Sequence, residues 1–272
     1  MDGALDAPIG VFDSGIGGLT VLRALLTELP HERFIYLGDT ARLPYGTKTA
    51  ETVVRYSLQA ANALLASGVK CIVVACNTAS SVGLPSLKAH AGDIPVIGVI
   101  EPGANAAAAA SRSGDIAVIG TERTVREGAY QRAILRARAT ARIRSAAAPL
   151  FVALAEEGLV SGAIATSVAH HYLDPLFGAA APPDTLVLGC THFPLLAATI
   201  QDVVGRTVTI VDSAATTARA AREELAQRGL ARATGAGAVR FRATDGAERF
   251  ARVGSSFMGR PISAGEVELV DL

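Results

Sequence analysis

The 272-residue sequence lacks an excess of charge of either sign, a long apolar run and paired cysteines, and each absence excludes a class of protein. Its 25 Lys and Arg residues balance its 25 Asp and Glu residues, so no overall positive field would hold nucleic acid or an anionic membrane surface. Gly, Lys or Asp interrupts every apolar stretch well before the roughly 20 residues that a membrane span needs. The sequence therefore predicts a soluble protein with no nucleic-acid or membrane partner.

The first residues, Met1 to Pro8, form a short acidic stretch without the basic start and apolar core of a secretory signal. We therefore expect a cytoplasmic protein, in a compartment that keeps thiols reduced. The three cysteines are odd in number and have no Cys-x-x-Cys spacing, which argues against a disulfide framework and a zinc ribbon. All three are expected to be free thiols.

Short β-branched runs alternate with longer stretches rich in alanine and leucine, a pattern typical of parallel sheets built from βαβ units. The predicted fold class is therefore α/β. Seven strands, enough for two sheets, are predicted at Ile9 to Phe12, Arg33 to Leu37, Cys71 to Ala75, Val96 to Val99, Asp115 to Ile119, Thr185 to Leu188 and Thr207 to Val211. Helices are predicted at Gly18 to Leu29, Thr49 to Ser67, Gly103 to Ser111, Glu122 to Ala137 and Ala214 to Gln227.

Two segments of the chain echo one another and suggest two related halves. Val73 to Thr78 is an apolar strand ending in cysteine and two polar residues, and Val187 to His192 repeats that order. We expect the chain to pass from one domain to the other near Glu101 and to return near Asp212. The first domain would then be discontinuous, residues 1–100 plus 212–272, and the second would be residues 101–211.

A second echo pairs Val11 to Ser14 with Ile210 to Ser213. It predicts that the helix from Ala214 packs back onto the first half of the chain.

Cys76 and Cys190 are the candidate reactive groups, because ligands of open α/β sheets bind beyond the carboxyl ends of the strands. The N-terminus of a following helix would favour the thiolate at both positions. A lone cysteine in an alanine-rich core is as often a buried packing residue as a functional one. The same strand-cysteine-polar order occurs twice here, which favours a functional role for Cys76 and Cys190. Cys71 lies at the other end of the Cys76 strand, roughly 16 Å away at about 3.3 Å per residue, and is expected to be filler.

Two thiols on opposite sides of one carbon atom can remove a proton from one face and return another to the opposite face. Such a reaction inverts a stereocentre and needs one thiolate and one thiol at neutral pH. Asp13 and His192 are the candidates to orient or assist these transfers. The alternatives are a helix cap for Asp13 and a structural hydrogen bond for His192.

The glycine-rich loop from Gly15 to Gly18 also invites a nucleotide-binding interpretation, which fails in detail. Thr20 stands where a dinucleotide fingerprint needs glycine, and Asp13 would repel a pyrophosphate. A zwitterionic amino acid fits better, because a carboxylate can meet its ammonium group while N–H and hydroxyl donors bind its carboxylate. Those donors are Ser14, Asn77, Thr78, Thr121 and Thr191. A plain tight turn between strand and helix remains the alternative.

A metal site is the chemical rival, drawing on Cys190, His192 and the pair His170 and His171. Adjacent residues of a helix point about 100° apart and rarely bind one ion together. No metal ligand is therefore assigned.

Together these motifs resemble the glutamate racemase family over most of the chain. The motifs stand in family order at Ile9 to Thr20, Gly38 to Thr40, Pro44 to Gly46, Ala75 to Ala79, Gly120 to Thr121 and Leu188 to Pro194. The resemblance implies two pseudo-symmetric α/β domains with the active site between them. It also implies a cytosolic enzyme that uses neither metal nor pyridoxal phosphate and converts L-glutamate to D-glutamate for peptidoglycan.

The resemblance further implies roles for individual residues. Cys76 would act on the D-enantiomer and Cys190 on the L-enantiomer, assisted by Asp13 and His192. A further family glutamate follows a Phe-Val-Pro-Leu segment, which corresponds to Phe151 to Leu154 with alanine in place of proline, and it falls on Glu156 or the adjacent Glu157. The substrate contacts implied are Asp13, Ser14, Pro44, Tyr45, Gly46, Asn77, Thr78, Thr121, Thr191 and His192.

Members of the family form dimers, so a homodimer is expected. Two alternatives to glutamate racemisation stay open. One is a racemase of the same family that acts on aspartate or another amino acid. The other is a non-catalytic amino-acid-binding module, in which one or both thiols would be dispensable.

Overall fold

The computed structural model describes residues 5–272, so residues 1–4 of the acidic N-terminal stretch lie outside the described part. Two parallel sheets flanked by helices confirm the α/β fold class. The strands are β1 (Ile9–Asp13), β2 (Arg33–Gly38), β3 (Cys71–Val74), β4 (Val96–Gly98), β5 (Asp115–Gly120), β6 (Arg142–Ala147), β7 (Thr185–Gly189), β8 (Thr209–Asp212), β9 (Ala238–Ala243) and β10 (Val267–Leu269).

The α-helices connect the strands and cover the sheets. They are α1 (Leu19–Glu28), α2 (Ala50–Ala66), α3 (Asn77–Ala91), α4 (Ile100–Ala110), α5 (Glu122–Glu127), α6 (Ala129–Ala137), α7 (Leu150–Glu156), α8 (Gly162–Phe177), α9 (Ala197–Val204), α10 (Ser213–Gln227) and α11 (Ala247–Met258). Between residues 5 and 272, no helix has both the length and the apolar character to cross a bilayer.

The two sheets repeat one strand arrangement. The first sheet has the order β10-β9-β2-β1-β3-β4 and the second the order β6-β5-β7-β8. In each half the chain places its second strand on one side of its first and its third strand on the other. The connections that leave the first and third strands therefore run in opposite directions along the sheet. This change of direction creates a crevice beyond the carboxyl ends of the two strands, where open α/β sheets bind ligands. The crevices lie after β1 and β3 and after β5 and β7.

Every predicted strand is present with small shifts at its ends, but the predicted number of seven is too low. The missing strands, β6, β9 and β10, lie at or next to a sheet edge. Each residue of β6 is at least partly exposed, because an edge strand is covered less than a central one. Its sequence, Arg-Ile-Arg-Ser-Ala-Ala, therefore lacks the continuous apolar run of β3 or β7.

The prediction of one helix from Glu122 to Ala137 is wrong. The chain forms α5 and α6 instead, separated by Gly128 with a φ of 63°. A left-handed residue ends an α-helix, and glycine adopts this conformation without steric cost.

The second sequence echo does not mark equivalent strands, since β1 is the first strand of its half and β8 the fourth. Asp212 instead caps α10, where its Oδ1 accepts hydrogen bonds from the N–H groups of Ala214 and Ala215 at 2.8 and 3.0 Å. Helix α10 does pack against α1 of the first half, as predicted. The division into residues 1–100 plus 212–272 and 101–211 stays a prediction.

Candidate active site

Cys76 and Asp13 lie side by side at the crevice of the first sheet, because β1 and β3 are hydrogen-bonded neighbours. Asp13 is the last residue of β1, and its Oδ2 accepts a hydrogen bond from the N–H of Gly15 at 2.9 Å. Its Oδ1 is buried without a hydrogen-bond partner among the described residues. Cys76 caps α3, with its Sγ 3.4 Å from both the N–H of Ala79 and the Oγ of Ser14.

Burial raises the pKa of the Cys76 thiol to about 12, and the negative charge of Asp13 adds to the rise. Hydrogen bonds from Ser14 and Ala79 oppose this change without cancelling it. The N–H of Ala79 in the first turn of α3 lowers the pKa of Cys76, the direction expected of a helix N-terminus, but burial outweighs it in the site without substrate. Burial also raises the pKa of Asp13, against the opposing charge of His192.

Cys190 lies at the corresponding crevice of the second sheet, directly after β7. The expected helix N-terminus is missing there, because a turn and a 3₁₀ segment, Phe193–Leu196, precede α9. The partner of Cys190 is His192, whose Nδ1 lies 3.7 Å from Sγ. On the other side of the ring, Nε2 donates to Oε1 of Glu156 at 3.0 Å. Glu157, the alternative at this position, is exposed.

The protonation of His192 follows from these two contacts. Burial alone would lower its pKa, but hydrogen bonds to Cys190 and Glu156 raise it to about 10. Burial alone would raise the pKa of Glu156, but the hydrogen bonds and charges of His192 and Arg249 hold it below its usual range. His192 is thus a cation at neutral pH between two groups that can carry negative charge.

The glycine-rich loop brings the two crevices together. A Cβ on Gly17 would lie 2.5 Å from Nδ1 of His192 and would collide with the hydroxyl of Thr191. Thr20, in the first turn of α1, donates to the carbonyl of Thr191 at 3.0 Å. The loop that follows Asp13 is therefore packed directly on the turn that follows Cys190.

Hydroxyl and amide groups gather beside the thiols. Thr78 lies 3.0 Å from Thr121, oxygen to oxygen, and Thr124 lies within 3.3 Å of both. Asn77 has its amide oriented by Tyr130, whose hydroxyl donates to Oδ1 at 2.7 Å. Two of the donors expected to meet an amino-acid carboxylate, Thr78 and Thr121, are thus in direct contact.

The Pro44 to Gly46 segment lines the same junction. A Cβ on Gly46 would lie 2.8 Å from the Cβ of Thr121, so the two chain segments are in close contact. The phenol of Tyr45 is buried, packs against Phe12 and donates to Oδ2 of Asp39. The hydroxyl of Tyr45 is therefore already bonded within the protein.

The histidine pair considered as a metal site takes no part in this cluster. His170 contacts Asp174 of its own helix at 3.0 Å, and His171 is exposed. Among residues 5–272, no three His, Cys, Asp or Glu side chains form a group that could hold a metal ion.

Tyr130, Thr124 and Arg249 contact the site, and sequence reasoning did not find them. Tyr130 and Thr124 lie within the stretch predicted as one uninterrupted helix, which gave no reason to separate them from core residues. Arg249 reaches Glu156 across 93 positions of sequence. No local pattern signals so distant a contact.

The sequence matches the Asp/Glu/hydantoin racemase family over residues 9–221. It is 49% identical to the glutamate racemase of Geobacter metallireducens, covering 97% of this chain and 96% of that protein. The crystal structure of the glutamate racemase of Francisella tularensis with D-glutamate is similar, with a TM-score of 0.90, 35% identity and 98% coverage of both chains. The Thermus thermophilus glutamate racemase, in complex with β-chloro-D-alanine, has a TM-score of 0.87 and 43% identity, again with 98% coverage of both chains.

These matches span the strands, both crevices and both cysteine turns described above. The resemblance first indicated by the ordered motifs is therefore confirmed over nearly the whole length of the chain. The protein belongs to the Asp/Glu/hydantoin racemase family, and the three relatives named above are glutamate racemases.

Proposed function

We propose that this protein is a glutamate racemase that interconverts L- and D-glutamate with two thiols and supplies D-glutamate for peptidoglycan synthesis. The observation that carries the proposal is the matched placement of Cys76 and Cys190. Each follows the third strand of its half, and each has its own acid–base partner, Asp13 for Cys76 and the His192–Glu156 pair for Cys190.

The two thiols start from unequal surroundings. Cys76 begins as a thiol, because its pKa is about 12. Sγ of Cys190 instead lies 3.7 Å from Nδ1 of the cationic imidazole of His192, so a positive charge adjoins this sulfur when it acts as the base. We assign the Cys190 side to the L-enantiomer, on which the second cysteine of the family acts.

The reaction from L-glutamate then needs two proton transfers. The Cys190 thiolate takes the α-proton, and the electron pair of the broken C–H bond stays on the α-carbon. The Cys76 thiol gives its proton to the opposite face, which leaves a Cys76 thiolate, a Cys190 thiol and D-glutamate. Proton exchange with solvent restores the starting state, and the reverse reaction uses the same groups in the opposite order.

The bound substrate helps Cys76 to change state. Its α-ammonium group is a positive charge, which lowers the pKa of a nearby thiol and offsets the effect of burial and of Asp13. Its carboxylates are assigned to the donors Ser14, Asn77, Thr78, Thr121 and Thr191 and to the backbone of Pro44, Tyr45 and Gly46. No cofactor enters any of these steps.

A related racemase that acts on aspartate or another amino acid is the closest alternative, and a binding module without catalysis is the more distant one. Similarity to glutamate racemases over 97% of the chain favours glutamate. We further propose that the protein works in the cytoplasm as a homodimer, as the family resemblance implies.

The direct test is to incubate the purified protein with single L-amino acids, without cofactor, and to follow optical rotation. Loss of rotation with L-glutamate supports the proposal. Turnover of aspartate without turnover of glutamate would mean that the protein is an aspartate racemase. No turnover of any amino acid would favour the alternative of a non-catalytic binding module.

A further inference from the structure

Arg249 joins the two halves of the molecule at the acid–base pair beside Cys190. It lies on α11, which packs against α1 and β10 of the first sheet. Its Nη2 nevertheless donates to Oε2 of Glu156 at 2.7 Å, and Glu156 is the last residue of α7, the helix that follows β6 of the second sheet. The contact therefore depends on how the two halves of the chain are placed relative to each other.

Both carboxylate oxygens of Glu156 are occupied by this arrangement. Oε1 accepts from His192 and Oε2 accepts from Arg249, so rotation of the carboxylate would break one bond or the other. A fixed carboxylate fixes the imidazole in turn, because Nε2 stays bound while Nδ1 faces Sγ of Cys190. Helix α11, which carries Arg249, also restrains the His192 ring through Phe257. The ring of Phe257 packs edge-on against the imidazole, with centroids 5.1 Å apart.

We propose that Arg249 is a positioning residue for proton transfer at Cys190, acting through Glu156 and His192. The inference rests on the proposed racemase function. Arg249 makes no contact with either thiol in the described structure, so it holds the groups that move the proton and does not move it itself. It also makes the orientation of His192 depend on the relative position of the two halves.

Charge and geometry act together at Glu156. The charged groups that face it are His192, from the turn after β7, and Arg249, from α11. Both lower its pKa, which keeps it an anion able to hold the Nε2–H of His192. Without Arg249 the pKa of Glu156 rises, and the activity is lost at a higher pH on the acidic side.

The test compares Arg249→Met, which keeps the length of the side chain without its charge, with Arg249→Lys, which keeps the charge. Arg252→Met is the matched control, since Arg252 lies on the same helix, is exposed and forms no ion pair within residues 5–272. Racemisation of glutamate is measured for each protein as kcat, KM and a pH profile, after circular dichroism and thermal melting have confirmed folding.

We expect Arg249→Met to lower kcat about tenfold, a fraction of the roughly 100- to 10,000-fold that an acid–base group contributes, with KM changed less than about twofold. Its acidic limb moves toward neutral pH, and Arg249→Lys restores both quantities. Equal kinetics in Arg249→Met and Arg252→Met, with an active wild-type protein, would overturn the inference alone. An inactive wild-type protein would overturn the proposed function.

Discussion

The backbone of Gly17 lies against the imidazole ring of His192, so close that a Cβ at residue 17 would stand 2.5 Å from its Nδ1 and Cε1. The glycine loop after β1 and the turn after β7 thus share one packing surface. Only a residue without a side chain allows this approach, which gives the Gly17 position a role beyond that of a turn.

Gly17→Ala is therefore expected to displace His192 and lower kcat/KM about 100-fold, the effect of misplacing a catalytic group by roughly 1 Å. The matched control is Gly265→Ala, because a Cβ there meets no atom within 4 Å. Steady-state kinetics of both variants check the prediction. Wild-type activity in Gly17→Ala would show that the imidazole position does not matter.

The three cysteines should separate into two that react and one that only packs. Cys76→Ala and Cys190→Ala are each expected to abolish racemisation, because each removes one of the two proton carriers. Cys71 is fully buried in β3, so Cys71→Ala should keep kcat and lower the free energy of unfolding by about 1 kcal/mol. Urea unfolding and a rotation assay distinguish the two outcomes, and full activity in either of the first two variants would contradict the two-thiol mechanism.

The unequal neighbours of the thiols predict unequal effects on the two reaction directions. Asp13→Asn and His192→Asn change different proton transfers, so the ratio of kcat from L-glutamate to kcat from D-glutamate should move differently in the two variants. Enantiomers have equal free energies, so kcat/KM must remain equal in the two directions and KM must change with kcat. Kinetics from both enantiomers test this point, and identical ratios in both variants would mean that the assistants are not specific to one thiol.

The raised pKa of His192 predicts a dependence of stability on pH. The folded protein holds this proton up to a pKa of about 10, against an ordinary value of 6.5. Its contribution to stability is therefore complete below pH 6.5 and is lost as the pH rises to about 10. Urea unfolding at several pH values should show a shallower decline over this range for His192→Asn than for the wild type. His171→Asn, which changes an exposed histidine, should keep the wild-type slope.

The apolar central strands carry strong local signals, and this explains why they were predictable. β3 and β7 are buried along their whole length, so their composition alone separates them from helices. β6 has arginine at two of its six positions and a partly exposed surface, and its pairing with β5 depends on the tertiary fold. The break at Gly128 needed knowledge that this glycine adopts a positive φ.

The site residues also divide into those with a local sequence signal and those that depend on the tertiary fold. Cys76 and Cys190 stand next to predictable strands, so their place at the carboxyl ends followed from the pattern. The state of the Cys76 thiol did not, because the balance between helix N-terminus, burial and Asp13 depends on distances that only the folded chain sets. The contact of Glu156 with Arg249 joins distant segments and has no local signature.

Racemisation of L-glutamate in heavy water, stopped at low conversion, tests the two-thiol mechanism most directly. If Cys190 removes the α-proton and Cys76 delivers one from its own solvent-exchanged thiol, the D-glutamate formed carries deuterium and the remaining L-glutamate keeps its proton. Deuterium appearing in the remaining L-glutamate as fast as in the D-glutamate would mean that one group serves both faces, and would contradict the mechanism.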